Sequence, residues 1–139
     1  MKKSKLLVLI TLSWVIAFSS AGFAQTEKRL TSTPKAFQTF YAKFKSAVLR
    51  GDKQAVASMT SFPFSYGWDA GDEGTYTRSQ FLRKYKDIFG GTRRLFSQSN
   101  PTFYLHEDTY GLFDVTDATS YGFKKKGGKY YFESVTSEP

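Results

Sequence analysis

The segment Thr33-Pro34-Lys-Ala-Phe37-Gln-Thr-Phe40-Tyr41-Ala-Lys43-Phe44-Lys45-Ser-Ala47-Val48-Leu-Arg50-Gly51-Asp52-Lys53-Gln-Ala55-Val56-Ala57-Ser-Met59-Thr60-Ser-Phe62-Pro63-Phe64 decides the fold. Phe37, Phe40, Tyr41, Phe44 and Val48 recur at helical spacing and make one apolar face, with Lys35, Lys43, Lys45 and Arg50 mostly elsewhere. Thr33 is placed to cap this helix, and Pro34 suits its first position, where no N–H is needed. Gly51 ends it as a left-handed residue. Asp52 then caps a shorter helix from Lys53 to about Met59, with Ala55, Val56 and Met59 inward. At Phe62 the period changes to two, which sends Phe62, Phe64, Tyr66 and Trp68 to one side of a strand. Pro63 cannot donate a ladder bond, so it belongs at the strand's start or on an edge.

Toward the C-terminus, Asp69-Ala70-Gly71-Asp72-Glu73-Gly74 reads as an acidic loop. Thr77 and Gln80 form a capping box. It opens a helix with Phe81, Leu82, Tyr85, Ile88 and Phe89 at helical spacing, and Gly90-Gly91 ends it. A short helical turn carrying Arg93 and Arg94 follows, up to Asn100-Pro101. Thr102–His106, Thr109–Val115, Thr119–Lys124 and Lys129–Val135 are rich in aromatic and β-branched residues and are separated by turn signals. They read as strands, and their short connections imply antiparallel neighbours.

Toward the N-terminus, residues 25–33 read as a flexible tail, which makes 34–139 a single α+β domain. Met1, Lys2, Lys3 and Lys5 precede an apolar run from Leu6 to about Phe18, and Gly22 and Ala24 supply the small residues of a cleavage site. Residues 1–24 therefore read as a cleavable signal peptide, cut between Ala24 and Gln25. The run is shorter than the about 20 residues a spanning helix needs. No cysteine is present to take a lipid, so no stable membrane anchor is expected after cleavage. The expected address is periplasmic or extracellular.

Removing the leader takes away three lysines and lowers the formal charge from +8 to about +5 on 115 residues. Basic and acidic residues are interspersed, which reads as solubility charge rather than a nucleic-acid footprint. The lack of cysteine removes thiol catalysis, iron–sulfur ligation and thiolate zinc sites. It also leaves an exported domain without disulfides, stabilised by burial of its many aromatic rings, each removing about 150–250 Å² from water.

Two helices, a Phe-Pro strand, a helix and a run of strands place helices on one face of a sheet. The pattern from Phe37 to Phe64, with the closing Gly127-Gly128-Lys129-Tyr130-Tyr131-Phe132, resembles small exported bacterial members of the nuclear transport factor 2-like superfamily, which includes ketosteroid isomerase. The resemblance spans about residues 34–136. It implies a cone-shaped α+β fold with N-terminal helices on a curved, mainly antiparallel sheet, a pocket between them, and dimers through the sheet face in some members. Members include isomerases, dehydratases and binding modules, so fold alone assigns no activity.

The isomerase relatives use an acidic base and an oxyanion-stabilising tyrosine or acid, and that set does not map residue by residue. Asp114 and Tyr110 share strand parity, as do Tyr104 and His106, which makes Asp114, Tyr110 and His106 the candidate catalytic residues. His106 stands beside Glu107 and Asp108, but these neighbours do not converge as three or four metal ligands must. Asp69, Asp72 and Glu73 lack EF-hand spacing. No metal or cofactor is expected. Lys124, Lys125, Lys126 and Lys129 form a basic hairpin tip, read as protecting a sheet edge. Tyr66, Trp68, Tyr85 and Tyr110 are the candidate ligand-binding residues, lining a pocket for a small apolar or amphipathic molecule. Three readings follow: a non-catalytic binder of a small ligand or protein, an isomerase- or dehydratase-like enzyme with a pocket carboxylate, or a module that dimerises through its sheet face. The binder calls for an apolar pocket without a carboxylate, and the dimer for a wide apolar sheet face.

Overall fold

A computed structural model describes residues 25–137 of the chain; the signal peptide expected over 1–24 lies outside the described residues, as does Ala24 of its cleavage site. Helix α1 (Lys35–Arg50) buries Phe37, Tyr41, Phe44 and Ala47, with Phe40 and Val48 along the margins of that seam. Thr33 does not cap it. Its hydroxyl donates instead to Leu30 O at 2.6 Å, closing a 3-10 turn over Leu30–Ser32, and Pro34 takes the capping position without a side-chain bond. Gly51 has φ 67° and returns its N–H to the last turn of α1. The Asp52 carboxylate accepts from Ala55 N–H at 3.1 Å and starts α2 (Lys53–Ser58).

Strand β2 (Thr60–Trp68) follows, with a cis Phe62–Pro63 bond. Pro63 falls inside a register shift between β2 and its neighbour, where the ladder asks for no donor. The acidic loop expected over 69–74 is in part a strand: after a tight turn, β3 (Asp72–Tyr76) pairs back on β2. Gly74 lies opposite Tyr66, and a Cβ there would come within 2.9 Å of the Tyr66 hydroxyl. The glycine thus makes room for a ring that stacks on Tyr76 at 4.1 Å.

The Thr77–Gln80 capping box forms as expected, but the helix it opens is broken at Lys84 into α3 (Arg78–Arg83) and α4 (Tyr85–Phe89). The break lets Phe81 pack on Phe64 of β2 at 5.1 Å, while Phe89 reaches Phe44 of α1 at 6.2 Å. A single turn, α5 (Arg93–Phe96), buries Leu95 and Phe96.

Strands β4 (Thr102–His106), β5 (Thr109–Asp114), β6 (Thr119–Lys126) and β7 (Lys129–Ser137) form a meander. The flexible tail expected over 25–33 is instead ordered, because β1 (Thr26–Arg29) pairs antiparallel with β4. Backbone bonds hold it, helped by Arg29 Nη1 donating to Asn100 O at 3.2 Å, so its polar sequence gives no hint of it. The sheet runs β1-β4-β5-β6-β7-β2-β3, and only β2 with β7 is parallel. The chain is thus α+β with a mainly antiparallel sheet.

The expectation that the lysine-tipped hairpin guards an edge is corrected by this order. Strands β6 and β7 are interior, and β1 and β3 are the edges. The tip charges are answered locally: Lys124 pairs with Asp108 at 3.5 Å, Lys126 with Glu133 at 3.4 Å, and Lys125 lies over the Tyr130 ring.

Candidate functional site

The space between helices and sheet, where the resemblance implies a pocket, is filled by rings. Phe37 stacks on Tyr110 with centroids 4.4 Å apart, Phe44 meets Phe123 edge-on at 5.1 Å, and Phe64 meets Phe132 at 4.7 Å. The buried polar residues in the described part are four threonines, Thr33, Thr60, Thr92 and Thr119, besides the tyrosines of the core. No carboxylate and no histidine is buried there among the described residues.

The four candidate ligand-binding residues separate to three places. Tyr110 is packed between Phe37 and Phe103 and faces Tyr130. Burial, and then the neighbouring Tyr130, push its phenol above the usual range. Tyr66 and Trp68 are half-buried at the β2–β3 hairpin, where Trp68 Nε1 donates to the Tyr76 hydroxyl at 3.3 Å. Tyr85 stands apart from both, on α4 against Phe89 at 4.8 Å.

The candidate catalytic residues do not converge either. Asp114 and Tyr110 share the helix-facing parity of β5, as expected, but Asp114 Oδ1 accepts from Thr116 N–H at 2.9 Å and organises the turn into β6. Tyr104 and His106 share the opposite face. There they border a shallow trough of about 530 Å³ whose lining includes Thr109, Gly111, Phe113, Ser120, Gly122 and Ser134. Gly111 lies opposite Gly122, which lies opposite Ser134. This outer face is therefore rich in hydroxyls and glycine, with Tyr104 and Phe113 among them. Among the described residues no group of three or more His, Asp or Glu is placed to hold a metal.

A second concavity combines apolar walls with charge. Where α1 ends beside α4 and α5, Val48, Leu49, Tyr85 and Phe89 wall a cleft of about 350 Å³, and Lys86, Gly90, Gly91, Thr92 and Arg93 complete it. Three local features build it. Gly51 turns the chain at the end of α1, leaving Val48 and Leu49 half-exposed. The short α4 turns Tyr85 and Phe89 inward. Gly91, at φ 77°, reverses the chain so that Thr92 is buried and Arg93 comes to the rim.

Tyr85 is 7 % exposed and its hydroxyl has no hydrogen-bond partner. Burial raises its phenol above the usual value, and the Asp52 charge adds to this. Lys84 pairs with Asp87 at 3.6 Å, whereas Lys86 and Arg93 belong to no ion pair among the described residues. The cleft thus has apolar walls, two cations and no carboxylate. Of its residues only Tyr85 is among the sequence candidates. The signal for the rest is Gly90-Gly91 followed by Arg93: a helix stop that brings a cation beside the aromatic face of the helix it ends.

No family model matches the chain, and no curated protein matches it. Among solved structures it is similar to a nuclear transport factor 2-like protein of unknown function from Pseudomonas putida, at 11 % identity and TM-score 0.45, over 84 % of this chain and 90 % of that one. It is also similar to a domain of unknown function with a cystatin-like fold from Nostoc punctiforme, at 12 % identity and TM-score 0.39, over 75 % of this chain and 77 % of that one. These overlaps are too loose to carry an argument about site or activity.

Proposed function

We propose that the protein is an exported, non-catalytic binding module that takes a small ligand in the cleft between α1 and α4–α5, and not inside the cone. The observation that carries this reading is the contrast between an interior packed with rings and a surface cleft with apolar walls and no carboxylate. At about 350 Å³ the cleft stands at the low end of the ~300–1,000 Å³ usual for ligand sites. An isomerase of the kind the resemblance admits needs a carboxylate against its substrate. The ionisable groups lining this cleft are Tyr85, Lys86 and Arg93, which favours capture over proton transfer.

The test is a titration of the purified, ¹⁵N-labelled protein with 1-octanol, followed by amide shifts. Saturable shifts at Leu49, Phe89 and Gly91, removed by Val48→Trp in a protein with an otherwise unchanged spectrum, support the reading. Shifts centred on Phe37, Tyr110 and Phe123, or none at all, overturn it.

A further inference from the structure

Building on that reading, we infer that the cleft's ligand is an anionic amphiphile of medium length: an alkyl or aryl carboxylate whose tail lies along Val48, Leu49, Tyr85 and Phe89 and whose head group meets Lys86 and Arg93. The walls set the first half of this description. They are apolar or aromatic, and the small volume admits a short chain rather than a long one. The rim sets the second half. Both of its charged side chains are cationic, and neither is engaged by an acidic partner among the described residues. Arg93 offers the planar fork that fits a carboxylate in two-point contact, and Lys86 adds a point charge on the same stretch of chain.

Position matters as much as charge. Several cations elsewhere are in use: Lys124 and Lys126 pair with Asp108 and Glu133, Arg50 with Asp52, and Lys45 donates to Gln98 O. Others, such as Lys53, Arg83 and Lys129, share with Lys86 and Arg93 the lack of an ion pair among the described residues but border no such cleft. Lys86 and Arg93 border an apolar concavity instead, where a carboxylate is drawn in by charge and retained by its tail. Neither half suffices. An exposed ion pair alone contributes about 0–1 kcal/mol, and an open cleft buries only part of a short tail.

The experiment compares octanoate, 1-octanol and octylammonium on the purified protein, each below its aggregation threshold, with amide shifts at Leu49, Phe89 and Gly91 as readout. Octanoate is expected to bind about tenfold tighter than octanol, with octylammonium weakest. Shortening the acid to hexanoate should weaken binding by roughly two- to fourfold per methylene, the larger figure for complete burial. Lys86→Glu with Arg93→Glu, both exposed and unpaired, should lower octanoate affinity about tenfold or more and reverse the preference in favour of octylammonium. Lys129→Glu, at the distant hairpin tip, should leave octanoate binding unchanged.

Equal affinity for the three head groups overturns the inference while sparing the cleft as a ligand site, and absence of shifts there overturns both. A loss in Lys129→Glu as large as in the double variant means diffuse attraction to a basic protein, and also overturns it. Sedimentation with phosphatidylglycerol vesicles, without saturable octanoate binding, assigns the cations to a membrane surface instead and refutes the monomeric ligand.

Discussion

Truncating Phe123 to alanine tests whether the interior has space for anything but side chains. Its ring is fully buried on β6 and meets six others: Phe44 at 5.1 Å, Phe132 at 5.4 Å, Phe40 and Tyr41 at 6.0 Å, Phe37 at 6.1 Å and Phe103 at 6.3 Å. Phe→Ala in a close-packed core costs about 3–5 kcal/mol, and aromatic pairs add about 0.5–1.5 kcal/mol each beyond their area. With six ring neighbours the upper end applies, so Phe123→Ala should cost about 4–5 kcal/mol. That is a large share of the ~5–15 kcal/mol available to a domain. The comparator is Phe62→Ala. Phe62 is half-buried and meets Phe81 at 5.5 Å, which puts its cost nearer 1–2 kcal/mol. Urea unfolding followed by far-UV circular dichroism separates them. With m of about 1–3 kcal/mol/M, Phe123→Ala should lower the midpoint by about 1.3–5 M and Phe62→Ala by about half of that or less. A cost below about 1.5 kcal/mol for Phe123→Ala, or equal costs for the two, would mean the rings leave slack, and an interior ligand space would return as the better reading.

Two buried tyrosines should respond oppositely to loss of the hydroxyl. Tyr41 Oη has no partner, so Tyr41→Phe should be neutral or stabilise by up to about 1 kcal/mol, whereas Tyr121 donates to Ile88 O at 3.3 Å and Tyr121→Phe should cost about 0.5–1.5 kcal/mol in the same urea assay. Burial raises both phenols well above their ordinary value, aided at Tyr121 by Asp117 and Asp114. A phenol raised in the folded state contributes stability that is complete below about pH 10 and lost above it, at about 1.4 kcal/mol per pH unit for each tyrosine. Urea midpoints should therefore hold to pH 10 and fall beyond, with a shallower fall in the Tyr41→Phe/Tyr121→Phe protein; equal slopes would contradict the assignment. Asp52→Ala removes the cap of α2 and should cost about 1 kcal/mol by thermal unfolding, with Asp52→Asn retaining most of it.

Much of the architecture was legible because it is written in short-range terms. The apolar seam of α1, the Asp52 cap, the Thr77–Gln80 box and the four C-terminal strands all depend on residues close in sequence. What stayed hidden depends on distant partners. Strand β1 exists because β4 offers it backbone bonds, and nothing in Thr26-Glu27-Lys28-Arg29 advertises a strand. Strand β3 hides behind Asp72-Glu73-Gly74, since only Tyr76 of its five residues is buried. The break at Lys84 is invisible to a pattern whose spacing continues through it. Strand order was equally out of reach, because the parallel joining of β2 to β7 is a long-range choice. For the candidate site, parity correctly put Tyr104 with His106 and Asp114 with Tyr110, but parity fixes a face and not a distance.

The same aromatic content explains both the filled cone and the position of the cleft. Without a disulfide, a chain of this size depends on apolar burial to offset an ordering entropy of about 1–2 kcal/mol per residue. Rings are an effective way to do so, and they fill the space between helices and sheet: Phe37 lies on Tyr110 with centroids 4.4 Å apart. A side chain such as Tyr110 cannot both complete that packing and remain available to a ligand without a cost like that expected for Phe123→Ala. A binding site in such a protein belongs where the packing runs out. One such place is the end of α1, where Gly51 turns the chain away, the short α4 presents Tyr85 and Phe89, and Gly90-Gly91 brings Arg93 back beside them. Filling that cleft with Val48→Trp should therefore abolish ligand binding while leaving the unfolding free energy within about 1 kcal/mol of wild type, whereas Phe123→Ala should lower the unfolding free energy and leave cleft binding intact in the fraction that remains folded. Coupled loss of stability and binding in both variants would contradict this division.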